Sequence, residues 1–158
     1  MRLPPSGDQE EFYHALQNGC RTESETAVIM LLWRTGMHAS TLVREWYSID
    51  REGTVHWSRV KTGKWLRATM PKDEAGVIIR CLMAGLLPNT TRTLGRWVRR
   101  IGDRAGYSGI CPLTLRHSRA IWLLDAGLPQ NRVASLIGCS WAVLEKHYAQ
   151  IEAARLIE

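Results

Sequence analysis

The run Pro112-Leu113-Thr114-Leu115-Arg116-His117-Ser118, continued by Leu123-Leu124-Asp125-Ala126-Gly127 and then by Pro129 to Gly138, decides how this chain is read. Each half opens on a proline, whose fixed φ suits the first turn of a helix. Each closes on a glycine, which takes the left-handed conformation that ends one. The stretch therefore predicts two consecutive helices, over residues 112–126 and 129–137. Ser140 can cap one more, running through Tyr148.

Working back from this stretch, the chain is helical again over residues 89–104, with Asn89 as the cap, and over residues 72–84, ended by Gly85. The pattern changes before Lys72. Residues 54–60 and 65–70 are rich in β-branched and aromatic side chains, and Lys61-Thr62-Gly63-Lys64 between them places a glycine where a tight hairpin needs one. Asp50-Arg51-Glu52-Gly53 is a turn before the first of these strands. Upstream, Ser6-x-x-Gln9 and Thr22-x-x-Glu25 read as capping boxes for helices over residues 8–18 and 23–35, the second ended by Gly36. A short helix follows over residues 40–46. The expected fold class is α+β: mainly α-helical, with a small antiparallel β-sheet.

A chain of 158 residues, 45% of them hydrophobic, predicts one domain, residues 1–158, with an ordinary core. The longest strongly apolar run, residues 27–33, is far too short to span a bilayer, and the N-terminus lacks the apolar core of a signal peptide. These features predict a soluble protein, cytoplasmic or nucleoid-associated, with no membrane partner. Cys20, Cys81, Cys111 and Cys139 form no CxxC pair and are not spaced with the histidines as zinc ligands, so reduced thiols and no metal are expected. No small-molecule cofactor is implied.

The net charge of +6 is unevenly placed. Residues 1–25 sum to −3, whereas residues 59–104 hold eleven basic residues against Asp73, Glu74 and Asp103. Within the helix expected at 89–104, Leu94, Trp97, Val98 and Ile101 share one face. Arg92, Arg96, Arg99, Arg100 and Arg104 cover much of the remainder. Arginine stays charged and forks onto phosphate oxygens, so this face is a candidate contact for a nucleic-acid backbone. Trp33, Trp97 and Trp122 lie in apolar periodic contexts and read as core, while Trp57 and Trp65, beside the hairpin, remain open between core and surface.

Four segments together resemble the catalytic domain of the tyrosine recombinases, the phage-integrase family. They are Arg34-Thr35-Gly36-Met37-His38-Ala39-Ser40-Thr41-Leu42 with Trp46 and Ile49-Asp50; the hairpin 60–64 ending at Pro71; Leu115-Arg116-His117-Ser118 with Leu123–Gly127; and Leu136-Ile137-Gly138-Cys139-Ser140, with Tyr148 nine residues past Cys139. The resemblance covers nearly the whole chain. It implies a metal-free phosphoryl transfer in which a tyrosine oxygen attacks a DNA phosphodiester. Two arginines then hold the non-bridging oxygens, a lysine protonates the leaving oxygen, and histidines assist.

Carried over position by position, Tyr148 matches the nucleophile, Arg116 the second arginine and Lys61 the lysine, with Lys64 as its fallback. His38 stands at the first arginine, Leu113 at the first histidine and Cys139 at the second, so three of six positions are altered. Imidazole cannot copy a guanidinium fork, leucine offers no hydrogen bond, and a thiol is a weak donor. Arg34, Arg44 or Arg119 could refill the vacant arginine place, and His117 favours a local structural role. Lys64 and Arg119 join Arg92, Arg96, Arg99 and Arg100 as candidate DNA contacts.

The resemblance also implies a separate N-terminal clamp on DNA, for which the first helix, near residue 8, leaves no room. It implies a C-terminal tail, residues 149–158, able to pack on a second copy as a homo-oligomer. The reading is a domain that binds double-stranded DNA for recombination or integration, with strand cleavage impaired. The alternatives are an active recombinase with a non-standard pocket and an inert module that pairs with a competent recombinase.

Overall fold

Helix α2 (Glu23–Thr35) is the axis of the molecule, because its residues 27–33 are all buried, none more than 7% exposed. A helix that is apolar on every side must be surrounded by other elements. Here the surrounding elements are α1 (Gln9–Asn18), α4 (Lys72–Met83), α5 (Thr91–Ala105), α6 (Pro112–Asp125) and strand β3 (Trp65–Thr69). The computed structural model describes residues 3–58 and 63–138, together with the helical positions Ala142, Glu145, Lys146 and Ala149. The hairpin tip with Val60, Lys61 and Thr62, the Ser140 cap, Cys139, Tyr148 and the tail from residue 150 onward lie outside the described residues.

The sheet has three antiparallel strands in the order β1-β2-β3, with β1 at Tyr47–Ile49 and β2 at Thr54–Ser58. The register aligns Tyr47, Trp57 and Leu66 across the three strands, and all three are buried. Trp57 is thereby assigned to the core, while Trp65 stands 66% exposed. Strand β1 is an addition to the expected pair, since three residues are too short to show a period. It follows the short helix α3 (Ala39–Val43), which ends three residues before the expected boundary. Glu45 then turns the chain at φ 55, outside the helical region.

The β1–β2 turn forms as its sequence requires: Asp50 Oδ1 accepts from the backbone N–H of Glu52 and of Thr54, both at 3.0 Å. Gly53 sits at φ 92, where any Cβ would collide with the Met70 carbonyl, and it accepts a 2.8 Å bond from Met70 N. Only glycine satisfies both conditions.

Two caps differ from expectation by one or two residues. Asp8, not Ser6, caps α1, accepting from Glu10 N at 2.9 Å. Thr90, not Asn89, caps α5, accepting from Thr93 N at 3.1 Å. Each segment offers two short polar side chains within three residues, and the backbone geometry selects between them. Helix α7 (Gln130–Ile137) follows α6, with Val133 and Ala134 packed beside Ala120 of α6. Among the described residues no helix is long and apolar enough to cross a membrane.

The cap of α2 also carries a charge link. Thr22 Oγ1 accepts from Glu25 N at 3.1 Å, while Glu25 Oε1 accepts from Arg21 N and from Arg104 Nη1, each at 2.8 Å. Burial alone would push the Glu25 carboxyl up, but the Arg21 amide and the Arg104 guanidinium outweigh it and hold the group below its usual range. A depressed carboxylate contributes stability above its unfolded value and loses it as pH falls through the folded value. Glu25→Gln should therefore unfold about 1.5–3 kcal/mol more easily at pH 7, the range for hydrogen bonds to a charged group. In urea titrations the gap to the parent should close below about pH 4. A gap that does not change with pH would remove the carboxylate as its source.

Candidate nucleic-acid interface and catalytic centre

Helix α5 divides into two faces. Leu94, Val98 and Ile101 are fully buried and Trp97 packs on the same core. Arg92, Arg96, Arg99 and Arg100 are exposed. Arg104 departs from the expected outward set: its guanidinium turns in to Glu25 and to the Gly19 carbonyl at 3.2 Å. Arg92, Arg96 and Arg99 line a groove of about 390 Å³ whose other wall is Gly109, Ile110 and Cys111. Cys111 is the N-cap of α6, so the arginine face opens towards the first turn of the helix that carries Leu113 and Arg116.

Arg116 is 6% exposed and donates from Nη1 to the Gly36 carbonyl at 3.2 Å. Gly36 ends α2 in the left-handed conformation at φ 70, with its N–H on the Leu32 carbonyl at 2.8 Å. A Cβ there would stand 2.8 Å from Ile137 Cδ1, so α6, α7 and the end of α2 meet at this glycine. Two residues on, exposed His38 forms the N-cap of α3, its carbonyl accepting from Thr41 N at 3.1 Å. The fold thus brings Arg116 against the loop that presents His38. Helix α6 is pinned there by Ser118, which donates to Gln9 Oε1 at 2.7 Å and accepts from Trp33 Nε1 at 2.9 Å. His117 is buried beside it. Lys64 Nζ donates to Ser135 Oγ at 3.4 Å, which ties the end of the hairpin to α7.

The three arginines that could refill the vacant place are held as follows. Arg34 forks onto Glu74, with Nε to Oε1 at 3.0 Å and Nη2 to Oε2 at 2.9 Å. The same Oε1 accepts from the Tyr13 hydroxyl at 2.8 Å. Burial and the adjacent carboxylate raise the Tyr13 hydroxyl well above its ordinary value. Arg44 lies over the Trp46 ring at 4.9 Å. Arg119 is drawn inward rather than out to solvent, its guanidinium 4.2 Å from the Trp122 ring and 5.1 Å from that of Trp33. Burial, and then the charge of Arg34, pull its pKa down to about 10. Its buried Nη1 has no hydrogen-bond partner among the described residues. Cys81 is buried, and Cys20 and Cys111 are half-buried, all as free thiols. Among the described residues no three His, Cys, Asp or Glu side chains cluster as metal ligands would.

The sequence profile of the Phage integrase family matches residues 6–155. The chain belongs to the phage integrase family. It is 27% identical over 155 residues to the tyrosine recombinase XerC of Corynebacterium efficiens, covering 85% of this chain and 48% of that protein. It is 28% identical over 180 residues to XerC of Corynebacterium glutamicum, covering 99% of this chain and 58% of that protein. The chain thus spans about half the length of these curated relatives. Its fold is similar to that of XerA recombinase, at TM-score 0.73 and 18% identity over 93% of this chain and 61% of that one. It is also similar to XerH recombinase in a post-cleavage complex with palindromic difH DNA, at TM-score 0.72 and 16% identity over 98% of this chain and 52% of that one. The family's α+β architecture, mostly helical with a three-stranded antiparallel sheet, is the one this chain adopts.

The Tyr13–Glu74–Arg34 network and the Glu25–Arg104 pair were not foreseeable. Each joins residues 40 to 79 positions apart, and no local pattern marks a long-range ion pair. Arg119 reads from the sequence as a candidate DNA contact, and its inward stacking on Trp33 and Trp122 is not foreseen there. A guanidinium desolvated without a carboxylate partner costs stability, offset in part by its two indole neighbours. Arg119→Met should stabilise the domain by about 1 kcal/mol in equilibrium unfolding at pH 7, since apolar replacement of a buried charge is often favourable. Destabilisation by a similar amount would mean that the indole stacking outweighs the desolvation.

Proposed function

We propose that this domain binds double-stranded DNA through the outer face of α5 and takes part in DNA recombination or integration, with strand cleavage impaired. The observation that carries the reading is the continuity of charge and helix. Three of the four exposed arginines, Arg92, Arg96 and Arg99, border a groove that runs to the start of α6, and α6 carries Arg116 against the loop of His38. A backbone laid along α5 would reach the α6 end with its phosphates already neutralised. At that point the family's chemistry needs two guanidiniums on the transferred phosphoryl group. Arg116 can supply one. His38 cannot supply the other, because the two nitrogens of an imidazole diverge and cannot fork onto two phosphate oxygens. Losing one such donor typically costs about 10²–10³ in rate. Attack by the Tyr148 hydroxyl and protonation of the leaving oxygen by Lys61 are the steps that the family assigns to those positions.

Binding and cleavage are tested separately. Arg96→Ala, Arg99→Ala and Arg100→Ala together should weaken binding to any duplex and flatten the slope of log affinity against log salt by up to about 3, one counterion per lost phosphate contact. An unchanged affinity and slope would take α5 out of the interface.

For cleavage, single-turnover trapping on a nicked duplex reads covalent complex directly. We expect little or none from the parent, and we expect His38→Arg to gain more than Leu113→His or Cys139→His, because a fixed charge on the phosphoryl group outweighs a proton-shuttling group. Efficient trapping by the parent, abolished in Tyr148→Phe, would replace the impaired reading with that of a working recombinase.

A further inference from the structure

Two large aromatic side chains stand in solvent on the sheet, Trp46 at 40% and Trp65 at 66% exposure. The register relates them. Ser58 is aligned with Trp65, and Ser58 N donates to the Trp46 carbonyl at 3.3 Å, one step beyond the Tyr47–Trp57 pair. Trp46, Ser58 and Trp65 therefore form one row across the three strands. Aligned residues project from the same face, and alternate rows from opposite faces. The neighbouring row, Tyr47, Trp57 and Leu66, is buried, so the tryptophan row is on the outward face. So is the row Ser48, His56 and Arg67, whose three residues are all exposed. Two strand spacings set the two tryptophan backbones about 10 Å apart, with only a serine side chain between them.

The surround of this row is basic. The Arg44 guanidinium lies over the Trp46 ring at 4.9 Å, and Arg67 stands two residues along β3 from Trp65, on the same outward face. The carboxylates of the sheet are at its other end: Asp50 is taken up by its own turn, and Glu52 pairs with Lys72 at 3.0 Å. Glu45 precedes Trp46, at the left-handed residue that turns the chain from α3 into β1. Flat apolar rings with a cationic border are complementary to a flat ring that is itself exposed and carries a phosphate. Paired DNA hides the faces of its bases inside the stack and offers only edges and backbone. The ligand that fits is an unpaired base.

We propose that the outward face of the sheet, through Trp46 and Trp65 with Arg44 and Arg67 at its border, is a stacking platform for unpaired bases. The domain then holds locally opened DNA more tightly than intact duplex. This rests on the reading that the domain binds DNA, but it uses a different surface from α5.

The test uses the full chain and three fluorescent probes: a duplex, the same duplex with a two-nucleotide bulge, and one strand alone. The parent should bind the bulged probe about tenfold more tightly than the duplex, within the range for stacking one or two bases. Trp46→Ala with Trp65→Ala should abolish that preference and leave duplex affinity within about twofold. Trp65→Phe should keep most of it, since phenylalanine retains a stacking face. A 2-aminopurine placed in the bulge should be quenched by the parent and not by the double alanine variant. The Arg96, Arg99 and Arg100 alanine variant should weaken all three probes in parallel and keep the preference.

If the parent binds none of the probes, the DNA-binding reading itself fails. If it binds duplex with no preference for the bulge, or if the double alanine variant keeps the preference, the platform is overturned while that reading stands. A double variant that changes sedimentation but not probe preference would reassign the two tryptophans to self-association.

Discussion

The burial of α2 on every side is the constraint from which the rest follows. Seven consecutive residues with no solvent-facing position leave no room for a polar side chain until Arg34, in the last turn of the helix. Four helices and a strand must therefore close around this helix, and each contributes its own apolar stripe. The ends of α2 then become the places where charge and backbone polarity are settled. At the start, Glu25 serves both the cap and Arg104 of α5. At the end, Gly36 turns the chain in the left-handed conformation and offers its carbonyl to Arg116.

The candidate catalytic centre is a consequence of that second end. The carbonyl of Gly36 would otherwise be a buried acceptor, and Arg116 satisfies it from α6. The same contact sets the guanidinium beside the loop of His38. One hydrogen bond thus links the packing of three helices to the position of the Arg116 guanidinium. His38 and Leu113 both lie at helix starts. His38 occupies a normal N-cap, and Leu113 lies in an ordinary first turn opened by Pro112.

Surface charge is divided between two tasks. Arg34 and Arg104 are consumed by buried carboxylates, and Arg119 by the rings of Trp33 and Trp122. Arg92, Arg96, Arg99 and Arg100 are left facing water along one helix. Arginine is suited to both places because its fork pairs with a carboxylate inside and its charge is solvated outside. Which arginine does which depends on the element packed opposite it.

Much of this was legible in the amino-acid sequence. The helices closed by Gly36, Gly127 and Gly138 and opened by Pro112 and Pro129, the buried stripe of Leu94, Val98 and Ile101, and the Asp50–Gly53 turn are local in origin, because caps, turns and periodicity act within a few residues. The family too could be read from spaced motifs. The strand at Tyr47–Ile49 could not, since three residues carry no period and it exists only as the partner of β2. Nor could the partners of Glu74, Arg104 and Arg119, or the separation of Trp57 inside from Trp65 outside. Those depend on which side chain meets which across the fold. Such meetings are decided by tertiary packing and by the cost of leaving a charge or a polar atom buried without a partner.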